Sequence, residues 1–164
     1  MNYKLICSKA GVRWNSSQIA FFELVDPYGD FNITAEDLMQ NVKQKVSDSE
    51  ATAVLFDDLS VLEQFGASPV DVTVFVHEIY SLLRAKSSEP PVVVAPFSIP
   101  SRATALLRRR CNVLAQFTPI GHGFGKDASS KMVFTIPSEN LHATKKGILL
   151  SGERTINGTW VSVE

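Results

Sequence analysis

The sequence predicts an α/β protein: a mostly parallel sheet flanked by helices, with antiparallel hairpins towards its C-terminal end. Three observations carry this. The runs at 52–56 and 92–95 are apolar without polar alternation, the pattern of strands covered on both faces, as in a parallel sheet. Capped amphipathic helices alternate with these runs between residues 34 and 110. After residue 120 the pattern changes to short arms separated by turn residues, as in antiparallel hairpins.

The elements follow in order. Tyr3, Ile6, Cys7 and Ala10 recur at helical spacing, and Gly11 suits the position just past a helix end. Residues 18–25, with Ile19, Phe21, Phe22 and Leu24, predict a strand, closed by the turn Asp26-Pro27-Tyr28-Gly29-Asp30. Thr34-Ala35-Glu36-Asp37 opens a helix with a capping-box pattern in which Asp replaces the usual Glu or Gln. That helix runs to about residue 46, with Leu38, Val42 and Val46 on one face. The strand Thr52-Ala53-Val54-Leu55-Phe56 ends on Asp57 and Asp58, and a short helix or turn over 59–65 is closed by Gly66. Ser68-Pro69-Val70-Asp71 is a strong helix start, with Ser as N-cap, Pro at N1 and Asp in the first turn. This helix extends to about Lys86 on the stripe Val72, Phe75, Val76, Ile79, Leu82 and Leu83.

Pro90-Pro91 then breaks the chain before the strand at 92–95. Ser101 caps a helix through Arg110, and residues 113–117 form another strand. The arms 121–126 and 131–136 read as a hairpin around Asp127-Ala128-Ser129-Ser130. A second hairpin joins 148–150 to 159–163 through a turn near Asn157-Gly158.

With 164 residues, the chain suits a single domain spanning 1–164. Apolar residues are 45% and charged residues 20%, ordinary for a globular protein, and the net charge of −1 argues against attraction of the whole surface to nucleic acid or membrane. A local basic patch remains compatible with that value. Cys7 and Cys111 are far apart, in apolar contexts and outside any CxxC pair, so they read as buried thiols of a reducing compartment rather than metal ligands. No apolar run approaches the ~20 residues of a membrane span, and the first residues lack the apolar stretch of a signal peptide. The expectation is a cytoplasmic protein, with the nucleus also open to it, and no membrane partner.

The candidate sites start with Asp57 and Asp58. Acids at the C-terminal end of a parallel strand lie where open α/β sheets place their ligand crevice, and P-loop NTPases hold a magnesium-binding acid there. Their other reading is a pair of acids that cap the following turn. An NTPase also needs a phosphate cradle, and the nearest text, Gly121-His122-Gly123-Phe124-Gly125-Lys126-Asp127, fails as one. Its outer glycines are too close, Asp127 stands where a hydroxyl belongs, and no helix follows. No nucleotide, metal or other cofactor is therefore expected, and no catalytic residue. His77, His122 and His142 show no metal spacing. Arg108-Arg109-Arg110, with Arg102 two turns earlier, is the densest basic cluster. It reads either as a solvated helix C-terminus stabilised by the helix dipole or as contacts to RNA phosphates or an acidic protein surface.

Several phrases also stand together in a recognisable order. They are Asp57-Asp58-Leu59-Ser60-Val61-Leu62, Gly66, and Val74-Phe75-Val76-His77. Gly123-Phe124-Gly125-Lys126-Asp127 with Lys131-Met132-Val133-Phe134, and Gly11-Val12 with Gln18-Ile19-Ala20-Phe21-Phe22-Glu23, extend the set. Together they resemble the sixth-subunit family of the Elongator complex, RecA-like proteins without Walker motifs. The resemblance covers nearly the whole chain. It departs at the beginning, where the first strand and the loop that carries a P-loop in RecA-like proteins are missing, so either a short form or a reduced ortholog is expected.

The resemblance implies a RecA-like fold without a P-loop and a subunit that is not an enzyme. It implies a heterohexameric ring with Elongator subunits four and five, which binds tRNA and supports wobble-uridine modification by the catalytic subunits. Asp57 and Asp58 are then vestigial, and Arg102, Arg108, Arg109 and Arg110 are the candidate RNA contacts. The alternatives are a nucleotide-binding RecA-like ATPase domain and an unrelated α/β adaptor.

Overall fold

The computed structural model describes residues 15–23, 32–119, 130–136, 145–151 and 156–159. Its fold is a small α/β one, in which helices flank a parallel strand pair and antiparallel strands follow. The chain divides into two units, Phe21–Arg109 and Met1–Ala20 together with Arg110–Glu164.

The first unit holds α1 (Ala35–Asp48), β1 (Ala53–Leu55), α2 (Ser60–Gln64), α3 (Pro69–Lys86), β2 (Val92–Val94) and α4 (Arg102–Arg108). Each long helix begins at a reciprocal cap. The Thr34 hydroxyl accepts the Asp37 N–H at 3.2 Å, and the Asp37 carboxylate accepts the Thr34 N–H at 3.0 Å. Ser68 and Asp71 repeat the arrangement at 3.2 and 3.1 Å, with Pro69 at N1. The hydrogen bonds from Thr34 and Ser68 hold the carboxyls of Asp37 and Asp71 below their ordinary 3.8. Ser101 and Thr104 form the third such box, at α4.

Helix α2 ends because Gly66 takes φ +95°, a left-handed conformation that L side chains rarely adopt. Its N–H reaches back to the Glu63 carbonyl, and that of Ala67 reaches the Leu62 carbonyl. At the far end of α1, Lys86 from the last turn of α3 donates to the carbonyls of Val46, Ser47 and Ser49. A cation there faces the negative end of the α1 dipole. An exposed ion pair, Lys43–Glu78 at 3.0 Å, also links α1 to α3, and such pairs contribute about 0–1 kcal/mol.

The core of this unit lies where the helices converge. Val72, Phe75, Ile79 and Leu83 line the inner stripe of α3 and are its largest fully buried side chains. Leu38, Val42 and Val46 of α1, Leu59, Leu62 and Ala103 complete the cluster, and Val54, Phe56 and Val93 pack against it. The rings of Phe56 and Phe75 are tilted at 57° with centroids 5.7 Å apart, a favoured aromatic geometry.

β1 and β2 pair in parallel, with Ala53, Val54 and Leu55 opposite Val92, Val93 and Val94. They are not covered on both faces as expected. Only Val54 and Val93 turn towards the core, while Leu55, Val92 and Val94 are 62%, 55% and 45% exposed. The apolar runs reflect two apolar faces, and only one of them is covered.

The second unit contains a four-stranded antiparallel meander, β3 (Leu114–Pro119), β4 (Ser130–Ile136), β5 (Lys145–Ser151) and β6 (Ile156–Thr159). It is a sheet distinct from β1–β2, rather than the antiparallel extension of one sheet that the sequence suggested. Both hairpins are also re-registered. β4 pairs with β3 on one edge and β5 on the other, so its described partner arms are 114–119 and 145–151; the expected arm 121–126 lies outside the described residues. Asn157 and Gly158 lie within β6, opposite Leu150 and Leu149, so they pair in the ladder and do not form the turn.

The strand expected over 18–25 is absent in its described part: Ser16–Gln18 is a single 3-10 turn, and residues 19–23 belong to no strand. The Lys45 ammonium sits over the exposed Phe22 ring at 5.0 Å. The helix expected over Tyr3–Ala10, the turn at 26–30, the glycine-rich stretch 121–127, Cys7, His122 and His142 lie outside the described residues. Cys111 is half-buried rather than buried, and keeps its thiol.

Candidate functional site at the ends of the parallel strands

The chain beyond each parallel strand turns away from the sheet, and the two turns are laced together. Pairing continues past the strands: the Phe56 N–H donates to the Val94 carbonyl at 3.1 Å, and the Leu59 N–H to the Pro96 carbonyl at 2.9 Å. This register brings Asp58 beside Ser98, forty residues on. Asp58 Oδ1 accepts the N–H of Ser60 at 2.8 Å and that of Ser98 at 3.2 Å, while its Oδ2 accepts the Ser98 hydroxyl. The Ser60 hydroxyl, in a buried residue, accepts the Ile99 N–H at 3.2 Å.

Burial opposes ionisation of Asp58, but the hydrogen bonds from Ser98 and Ser60 outweigh it, so the carboxyl titrates below its ordinary 3.8. A carboxylate offers about four acceptor positions, and three are used inside the chain. The geometry is that of a clamp: one acid holds the start of α2 and the loop after β2 at a fixed separation. Asp57, its neighbour, is exposed. Among the described residues, no three of His, Cys, Asp and Glu are grouped to hold a metal ion.

The arginines of α4 do not all lie on one side of the helix. Arg102 is the first residue of α4, Arg108 the last, and Arg109 its C-cap, while Arg110 falls in the other unit. At 100° per residue, Arg102 and Arg109 share one exposed side of α4 about 10 Å apart, and Arg108 points away by about 120°. The arginines at the helix end oppose its dipole favourably, whereas Arg102 at the first position gains nothing from it. His77 is half-buried on α3, and its carbonyl accepts the Ser81 hydroxyl.

Three contributors escape a reading of the sequence: Ser60, Ser98 and Lys86. Ser60 carried a local signal, because an Asp two residues before a Ser at a helix start is an Asx-turn pattern. Ser98 and Lys86 carried none, since their partners are brought near only by tertiary packing. Compared with known proteins, the chain matches no family model and no curated protein sequence.

Proposed function

We propose that the chain is a non-catalytic, RecA-like assembly subunit of the Elongator type. The observation that carries this reading is the state of Asp58. It sits at the strand end where a nucleotide-hydrolysing relative would hold a metal-binding acid, and its oxygens are engaged by Ser60 and Ser98. The acid works as a structural clamp, and a metal ion there would have to share its carboxylate with the hydrogen bonds that hold two turns in place.

In this reading the chain joins Elongator subunits four and five in a heterohexameric ring in the cytoplasm or nucleus. The ring binds tRNA and supports modification of the wobble uridine. Arg102 and Arg109 are the pair best arranged for one RNA backbone, since they lie on the same side of α4. The phrase Asp57-Asp58-Leu59-Ser60-Val61-Leu62 supports the family assignment.

Co-expression with subunits four and five, followed by mass photometry, tests the reading. The expected product is a six-membered particle containing this chain. A chain that remains monomeric beside an assembled pair of the others overturns it. In the assembled ring, Arg102→Gln with Arg109→Gln weakens tRNA binding and flattens its salt dependence, while Arg108→Gln has less effect. A thermal melt of the isolated chain with ATP and magnesium shows no shift. A nucleotide site at about 100 times its Kd would instead add ~2.7 kcal/mol.

A further inference from the structure

We propose that the outer face of the β1–β2 pair is a docking surface for an extended polypeptide segment with an apolar centre and lysine or arginine at its ends. The surface makes this demand whether or not the chain enters a ring.

The first argument is apolar. Parallel strands occur almost only with both faces covered, because helical crossovers normally bury both sides. Here Leu55, Val92 and Val94 stand on the uncovered side, each about half exposed or more. Being adjacent across a parallel register, they form one contiguous patch rather than scattered surface residues.

The second argument is charge. The segments 49–58 and 87–100, which carry both strands and their flanks, contain Glu50, Asp57, Asp58 and Glu89 and no lysine or arginine. Glu50 and Glu89 precede the strands, Asp57 follows β1, and all three are exposed. The nearest cation in sequence, Lys86, is committed to the carbonyls at the end of α1. An apolar strip bordered by carboxylates at both strand ends attracts a segment with the opposite layout and disfavours phosphate.

The third argument is size and symmetry. Three residues per strand make a strip about 10 Å long, with strand axes about 5 Å apart. A stable globular dimer needs roughly 800 Å² from each partner, far more than this strip offers. A second copy docked face to face would also set acidic rim against acidic rim. A short extended segment fits both the dimensions and the charge.

The test is selection of a random displayed peptide library on the full chain, with counter-selection on the Leu55→Ser, Val94→Ser double variant. Exposed positions tolerate these changes, and circular dichroism with a thermal melt checks that the variant folds. Should it not fold, Val92→Thr takes its place. The expected winners have aliphatic centres and basic ends. They bind the variant at least tenfold more weakly and lose affinity as salt rises. Winners without basic ends, equal binding to the variant, or no enrichment over it each overturn the proposal. So does a dimer in sedimentation equilibrium that disappears with Leu55→Ser, which would assign the face to a second copy. Displacement of winning peptides by oligouridylate would overturn it too, in favour of RNA.

Discussion

On the inner side of the β1–β2 pair, Val54 and Val93 pack against the cluster built around Phe75, Ile79 and Leu83. On the outer side, Leu55, Val92 and Val94 are as apolar and meet solvent. The residue types on the two sides are alike; the difference is what the rest of the chain brings to them. Helices α1, α3 and α4 all lend residues to the same core, and no described element supplies a cover for the other side. A run of apolar residues therefore records a demand for burial, and a partner can answer that demand as well as the chain itself.

The contrast can be broken most sharply at its inner side. Phe75→Ala removes a fully buried ring that packs on Phe56, and is expected to cost about 3–5 kcal/mol in urea or guanidinium unfolding. A loss under about 1 kcal/mol would mean that the core is not where the inner face places it.

The clamp between the strand ends is the next effect in size. Asp58→Asn keeps the shape but weakens charged hydrogen bonds to Ser60 and Ser98, for an expected loss of about 1–2 kcal/mol after allowance for solvent. Its sign with pH follows from linkage. The folded carboxyl titrates below 3.8, so in that window the unfolded chain binds more protons. The contribution is fully present above the unfolded value and is lost as pH falls through the folded one. The gap in stability between wild type and Asp58→Asn should thus narrow on acidification; a gap that widens contradicts the clamp.

Ser68→Ala deletes the cap that feeds the inner stripe of α3 and is expected to cost ~1 kcal/mol, read as a lower thermal midpoint. The smallest effect belongs to the outer face. Leu55→Ser should change stability by no more than about 0.5 kcal/mol, because the side chain is already largely in water. A large loss at Leu55 would show the outer face to be covered after all and would erase the contrast.

The sequence made the helices legible because their signals are local. Thr34 with Asp37, Ser68 with Pro69 and Asp71, and the glycine at 66 each specify a boundary within four residues. Strand identity at 53–55 and 92–94 was equally legible, but coverage was not, since it depends on elements distant in sequence. The meander was misjudged for a related reason. β4 has two edges, and nothing in 121–126 or in Asn157-Gly158 reveals that 114–119 and 145–151 occupy them. Of the strand-end site, the turn cap by Asp58 was readable from Asp-Leu-Ser. Its second partner, Ser98, emerges only from the parallel register.

Lys86 joins two points 37 to 40 residues apart, without a covalent bond, by gripping three carbonyls at the end of α1. Such a grip acts like a removable cross-link: it closes a long loop, and the closure entropy grows only slowly with length. The segment from the end of α1 to the end of α3, including β1 and Asp58, lies inside that loop, while the clamp's partner Ser98 lies beyond it. A charge-neutralising change at this one ammonium should therefore loosen the segment as a unit, with amide protons at the end of α1 and in the last turn of α3 exchanging faster together.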